Sequence, residues 1–300
     1  MTEVTVRAPA KVNLQLSVGP PRADGFHDLV NVFHAVSLFD EVTAAPADGF
    51  TVTVTGEAAD RVPVDDDNLA VRAARALAAR CGVTDGAALH IRKAIPVAGG
   101  MAGGSADAAA ALVACNELWG LGRSREELME IAAELGSDVP FALLGGTAVG
   151  TGRGEVLTPA LVTGRFHWVF ALAEGGLSTA RVYAECDRLR EAAGWTPRPP
   201  ELSEPLMAAL RAGDAHALGK ALVNDLEPAA LRLAPPLART LATGTECGAL
   251  GALVSGSGPT CAFLAESETH ARAVAAALTG AGVCRAAVVA HGPVPGAAPG

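Results

Sequence analysis

Aromatic side chains are scarce in this sequence: they make up 4% of it and include a single tyrosine, Tyr183. Basic residues are also in deficit, with 23 Lys and Arg against 32 Asp and Glu and a formal net charge of −9. Such a balance supplies no electrostatic footprint for nucleic acid or an anionic membrane, so neither is expected as a partner. A small polyanion stays admissible, because a nest of backbone N–H groups and one or two lysines suffice to hold it. No cysteine pair has C-x-x-C spacing. Cys81, Cys115, Cys186, Cys247, Cys261 and Cys284 are scattered, which argues against a disulfide frame or a zinc site and for reduced thiols in a cytosolic protein. The first residues form no apolar signal core, and no run of eighteen apolar residues occurs, so a soluble, cytoplasmic protein is expected. What the chain does have is apolar bulk. Half of its 300 residues are hydrophobic, enough for a sizeable core and one large or two ordinary domains.

The densest signal is Lys93-Ala94-Ile95-Pro96-Val97-Ala98-Gly99-Gly100-Met101-Ala102-Gly103-Gly104-Ser105, followed by an Ala-rich stretch to Leu112. Four glycines in six positions do not sustain a helix or strand, whereas the residues after Ser105 favour helix strongly. The pattern predicts a glycine loop feeding a helix N-terminus, with Ser105 at the N-cap. Unpaired N–H groups and the positive end of the helix dipole there suit a phosphate. Lys93 lies just upstream, and the Ser105 hydroxyl is placed to face a phosphate or a metal. No Gly-Lys-Ser/Thr follows, so this is not a Walker A loop. No acidic strand end stands at the distance a dinucleotide fingerprint requires.

Before the loop, Thr2–Val18 alternates as a strand, placing Lys11 and Asn13 on one face and Val12 and Leu14 on the other. Taken alone, that polar face reads as a solvated edge. Asp24-Gly25 signals a turn, with a strand through Leu29–Val36 and others at Val42–Ala45 and Phe50–Thr55. A helix is expected over Asn68–Ala79 behind the acidic run Asp65–Asp67. Ser124 and Glu127 form a capping box. Gly136-Ser137-Asp138 by itself reads as an Asx turn. After a boundary near 159–165, the order β-α-β-β-α-β suggests a ferredoxin-like layer. Residues 194–204 form a Pro-rich loop, and the tail 294–300 is expected to be disordered.

Three of these segments, Pro9-Ala10-Lys11-Val12-Asn13, the Pro96 glycine loop and Ser255-Gly256-Ser257-Gly258-Pro259, resemble in order and spacing the three signature motifs of the GHMP kinases. The resemblance covers residues 4 to 290. Arg22-Ala23-Asp24-Gly25-Phe26-His27 and Gly136-Ser137-Asp138-Val139-Pro140-Phe141 are similar to the branch that phosphorylates the 2-hydroxyl of a cytidine-diphosphate-linked methylerythritol in the non-mevalonate isoprenoid route. The resemblance implies an α+β fold of two domains. Residues 1–160 would be ribosomal-S5-like and carry the phosphate loop; residues 161–293 would be ferredoxin-like. It implies ATP and Mg²⁺ as cofactors and a small-molecule acceptor as partner, in a monomer or weak homodimer.

By the same resemblance Asp138 is the base and Lys11 its partner. Pro96, Gly99, Gly100, Met101, Ala102, Gly103, Gly104 and Ser105 hold ATP with Lys93, and Asn13, Phe26, His27, Thr179, Tyr183 and Asp225 hold the acceptor. Many members carry tyrosine where this chain has Phe26; a stacking role needs only the ring. Tyr183 has a plain alternative, a half-buried helix aromatic. Two other functions remain open: a GHMP kinase for another small molecule, against which the His27 segment speaks, and a non-catalytic sensor on the same fold, against which the joint presence of Lys11 and Asp138 speaks.

Overall fold

The computed structural model describes residues 3–196 and 198–300. Thr2, at the start of the expected first strand, and Pro197, within the expected Pro-rich loop, lie outside the described residues. The chain begins with two long strands, β1 (Val4–Pro21) and β2 (His27–Ala47), joined at a turn where Gly25 takes φ 82°. They pair antiparallel, with a register shift between Pro9 and Ala10, where proline has no N–H to give the ladder. β2 is one strand of 21 residues rather than the two short ones expected. Phe39 and Asp40 remain extended because they pair with Pro9 and Ala8.

Next come β3 (Phe50–Gly56), α1 (Leu69–Cys81), β4 (Gly86–Lys93), α2 (Gly103–Leu118), α3 (Arg125–Leu135), α4 (Val139–Leu144), β5 (Thr147–Thr151) and β6 (Val156–Pro159). Local chemistry sets several of these ends. Asn68 caps α1 by accepting from the Ala70 N–H, and left-handed Gly82 closes it. Ser124 and Glu127 form the expected capping box of α3. α2 is apolar nearly all round and is therefore buried on nearly every side, packed against α1, β1 and β2. Its small alanines allow the close approach.

The second half contains β7 (Phe166–Leu172), α5 (Thr179–Ala192), α6 (Glu204–Ala212), α7 (Ala215–Ala221), β8 (Val223–Asn224), α8 (Glu227–Leu233), α9 (Pro236–Glu246), β9 (Gly251–Val254), β10 (Cys261–Ala265), α10 (Glu268–Gly280), β11 (Ala286–Gly292) and β12 (Ala298–Pro299). Its four-stranded sheet has the order β11-β7-β10-β9 and is antiparallel throughout. Fourth, first, third, second is the ferredoxin-like order that the element pattern predicts. The remaining strands make one eight-stranded sheet around β1 and β2, in which the short β8 runs parallel to β1 at Gln15 and Leu16.

The expectation of a disordered tail is corrected. β12 pairs with β1 at Val6 and Arg7, Gly146 N–H donates to the Val294 carbonyl, and Ala297 N–H donates to that of Ala142. Val294 and Ala297 are buried. Gly296 makes this possible, since a Cβ there would sit 2.1 Å from the Leu143 carbonyl oxygen.

Candidate active site

The two halves border a cleft of about 890 Å³. Lys11 and Asn13 of β1 enter it from below, buried rather than forming a solvated edge. Lys11 Nζ donates to Asn13 Oδ1 at 2.6 Å and to the Gly100 carbonyl at 2.8 Å, and lies 3.9 Å from Asp138 Oδ2. Asn13 in turn donates to Asn31 Oδ1 of β2 at 2.9 Å. One ammonium thus ties the first strand, the glycine loop and the N-terminus of α4 together. Burial lowers the Lys11 pKa, and the Asp138 charge opposes that shift. Asp138 makes no capping hydrogen bond to α4; its carboxylate is free to face the cleft, where its side chain is one-third exposed.

The glycine loop runs from Ala94 to Ala102 and delivers α2 into the cleft. Ala98 and Ala102 are both left-handed, at φ 55° and 61°, a conformation that costs an alanine roughly 1–2 kcal/mol. Gly100, at φ 76°, presses against the next motif: a Cβ there would lie 2.1 Å from the Ser255 carbonyl oxygen. The expected cap is corrected. The helix starts at Gly103 behind Ala102, with no side-chain cap, so Ser105 sits in the first turn. The N–H groups at this end therefore remain open to an anion. Pro96, Gly99, Gly100, Ala102, Gly103, Gly104 and Ser105 all line the cleft. The Met101 side chain does not; it is buried in the core, and the residue contributes a carbonyl to Lys11 N–H.

Lys93 is also corrected. It does not reach the cleft but lies beneath the loop between two buried carboxylates, hydrogen-bonded to Asp40 and, at 2.7 Å, to Asp107. Asp40 accepts as well from the N–H groups of Ala94 and Ile95, which fixes the entry of the loop. Burial would lower the Lys93 pKa, but the charges of Asp107 and Asp40 outweigh it and raise it. Burial pushes the Asp107 carboxyl up to about 8, against the pull of Lys93.

The far wall comes from α5 and the turn before β2. Thr179, Tyr183 and Asp187 recur every four residues, and so share one face of α5; all three line the cleft with Phe26 and His27. Thr179 Oγ1 is 3.0 Å from Ser257 Oγ. The Phe26 ring is half exposed, and the Arg153 guanidinium lies 5.0 Å from its centroid. Tyr183 sits 5.1 Å from the His27 ring, and its phenol pKa is raised by burial and then by the Asp138 charge. Asp225 is placed elsewhere: it accepts from Val18 N–H and Arg190 and lines a separate pocket of about 330 Å³ beside Trp195. Sequence reasoning missed Asn31, Arg153 and Asp187. Only Asp187 had a readable signal, its one-turn spacing from Tyr183.

A glycine cradle at a helix N-terminus, opposite a lysine paired with an aspartate, is the layout of a phosphoryl-handling cleft for small molecules. Comparison with known proteins agrees. The GHMP kinases N-terminal domain matches residues 68–146 and the GHMP kinases C-terminal domain matches residues 206–284. The 4-diphosphocytidyl-2-C-methyl-D-erythritol kinase of Thermobifida fusca is 64% identical, over 99% of this chain and 98% of its own. That of Streptomyces avermitilis is 61% identical over 98% of each. A crystal structure of 4-(cytidine 5'-diphospho)-2C-methyl-D-erythritol kinase superposes with a TM-score of 0.78 at 33% identity, covering 97% of this chain and 98% of that one. A homoserine kinase from Cytophaga hutchinsonii, at 20% identity and a TM-score of 0.76, shares the fold. The chain belongs to the GHMP kinases and, within them, to the 4-diphosphocytidyl-2-C-methyl-D-erythritol kinase family. Among the described residues no helix is long and apolar enough to cross a membrane.

Proposed function

We propose that this chain transfers the γ-phosphoryl group of ATP to the 2-hydroxyl of 4-diphosphocytidyl-2-C-methyl-D-erythritol. The observation that carries the reading is the position of Lys11 Nζ, within 2.8 Å of the Gly100 carbonyl and 3.9 Å of Asp138. A cation there faces both the phosphate loop and the carboxylate. In this reading the N–H groups at the start of α2 hold the ATP phosphates. Lys11 offsets the charge on the transferring phosphoryl, and Asp138 orients the alcohol and accepts its proton as the new P–O bond forms. The attacking alcohol is a very weak acid, so a carboxylate helps only when close and oriented, and much of the Asp138 contribution is orientation. Phe26, Tyr183 and His27 receive the cytosine, and Thr179 and Asn13 border the acceptor diphosphate.

Among the described residues no group of three His, Cys, Asp or Glu side chains is placed to hold a metal ion. Mg²⁺ would enter as the ATP complex, held largely by phosphate and water, and the cleft-lining Ser105 hydroxyl is the side chain that would contact it and help neutralise the phosphates. The reading is tested by ATP turnover with a panel of acceptors: the cytidine-linked alcohol, the bare methylerythritol phosphate, homoserine and mevalonate. Strong turnover with the first alone supports it. Equal use of the bare phosphate overturns the cytidine assignment.

A further inference from the structure

We propose that Asp187 sets the base specificity of the cleft by fixing the tautomer of His27; this rests on the reading of the cleft as the site of a cytidine-linked alcohol. His27 opens β2 in the first half of the chain, and Asp187 lies on α5 in the second. The His27 Nε2 atom is 3.0 and 3.2 Å from the two Asp187 carboxylate oxygens. The imidazole is closely surrounded: the residue is 8% exposed, with the Tyr183 ring 5.1 Å away and tilted by 38°.

A carboxylate can only accept, so Nε2 carries the hydrogen. In the neutral imidazole the other nitrogen, Nδ1, is then a bare acceptor. Among the described residues no protein group is hydrogen-bonded to Nδ1, while the residue lines the cleft together with Phe26 and Tyr183. A lone pair aimed at a base edge favours an amino group and opposes a carbonyl. Cytosine carries an exocyclic amino group where uracil carries a carbonyl oxygen. The oriented histidine therefore accepts from cytosine and meets uracil lone pair to lone pair. A site built to pair one polar group rejects the analogue that lacks it far more strongly than an apolar pocket can. Remove Asp187, and the proton can move to Nδ1, which then donates to the uracil carbonyl. Asp187 does not touch the reacting atoms in this scheme; it is a positioning residue that acts through His27.

The test compares kcat/KM for the cytidine- and uridine-diphosphate-linked alcohols at pH 8, above the ordinary imidazole range, in wild type and Asp187→Ala. The expected result is a cytidine-to-uridine ratio at least about tenfold lower in the variant, carried by the acceptor KM. A purely structural role would loosen α5 and raise KM for both acceptors alike, and an unchanged ratio overturns the proposal. A direct reading needs no variant at this position. The ¹⁵N resonances of His27, assigned with His27→Gln, should show Nε2 protonated and Nδ1 bare in the wild-type protein. A protonated Nδ1 overturns the proposal even if Asp187→Ala does not fold. A wild-type protein with the expected tautomer that uses neither nucleotide-linked acceptor overturns the reading of the cleft, a different failure from an unchanged ratio in a protein that does use cytidine.

Discussion

Gly104→Ala separates phosphate binding from folding. Gly104 is the second residue of α2, exposed, with φ in the ordinary negative range. A Cβ there meets only Leu69 Cδ1, at an ordinary 3.5 Å. Alanine in place of glycine in a helical conformation stabilises by about 0.5–1 kcal/mol, so the variant should melt at or slightly above the wild-type temperature. The new methyl enters the space that the phosphates are proposed to use. Losing one hydrogen bond between an N–H and a charged oxygen costs about 1.5–3 kcal/mol, or about 10- to 150-fold in the Kd for ATP. Gly100→Ala is the contrast. At φ 76°, with the Ser255 carbonyl oxygen 2.1 Å from its Cβ, it must displace the facing turn and should lower the melting temperature. Calorimetric titration of ATP and thermal melting read both variants. A Gly104→Ala protein that melts normally and binds ATP as wild type does would refute the phosphate cradle.

Two further predictions concern buried charge. Lys93→Met leaves Asp40 and Asp107 facing each other in the core without a counter-charge. Urea unfolding should show a loss of about 3–5 kcal/mol, whereas a lysine that mainly contacted ATP would leave the stability of the free protein unchanged. His34 is fully buried, and burial pulls its pKa down to about 3 against a weaker opposing effect of the Gly292 backbone. The folded pKa lies below the ordinary one, so the unfolded chain takes the proton first. The stabilisation from neutral His34 is complete above about pH 6.5 and is lost as pH falls toward 3, at up to about 1.4 kcal/mol per pH unit. Between about pH 6.5 and 4, wild-type stability should fall more steeply than that of His34→Gln, by close to one proton; parallel curves would contradict this.

Features with local causes were legible in the sequence. The helix behind Asp65–Asp67, the Ser124–Glu127 capping box, the glycine loop ahead of α2 and the ferredoxin-like order each follow from a few adjacent residues or from the order of elements. Errors arose where a distant partner decides. Lys93 reads as a phosphate ligand until Asp40, 53 residues away, is seen to claim it. His27 reads as an isolated base reader until Asp187, 160 residues away, is found on its ring. Asp225 lies close in sequence to cleft-lining Leu226, but its carboxylate turns away to Arg190. The tail has the composition of a disordered segment, yet Val294 and Ala297 find buried sites and the glycine between them permits close passage.

The central claim is that the Lys11–Asp138 pair beside the glycine cradle performs the transfer. Rapid-quench measurement of a single turnover on Asp138→Asn, with the Kd for ATP and for the acceptor determined on the same protein, tests it most directly. The chemical step should slow by about 10²–10⁴-fold while both Kd values remain near wild type. A chemical step close to the wild-type rate would contradict the role of Asp138 and with it the proposed use of the cleft.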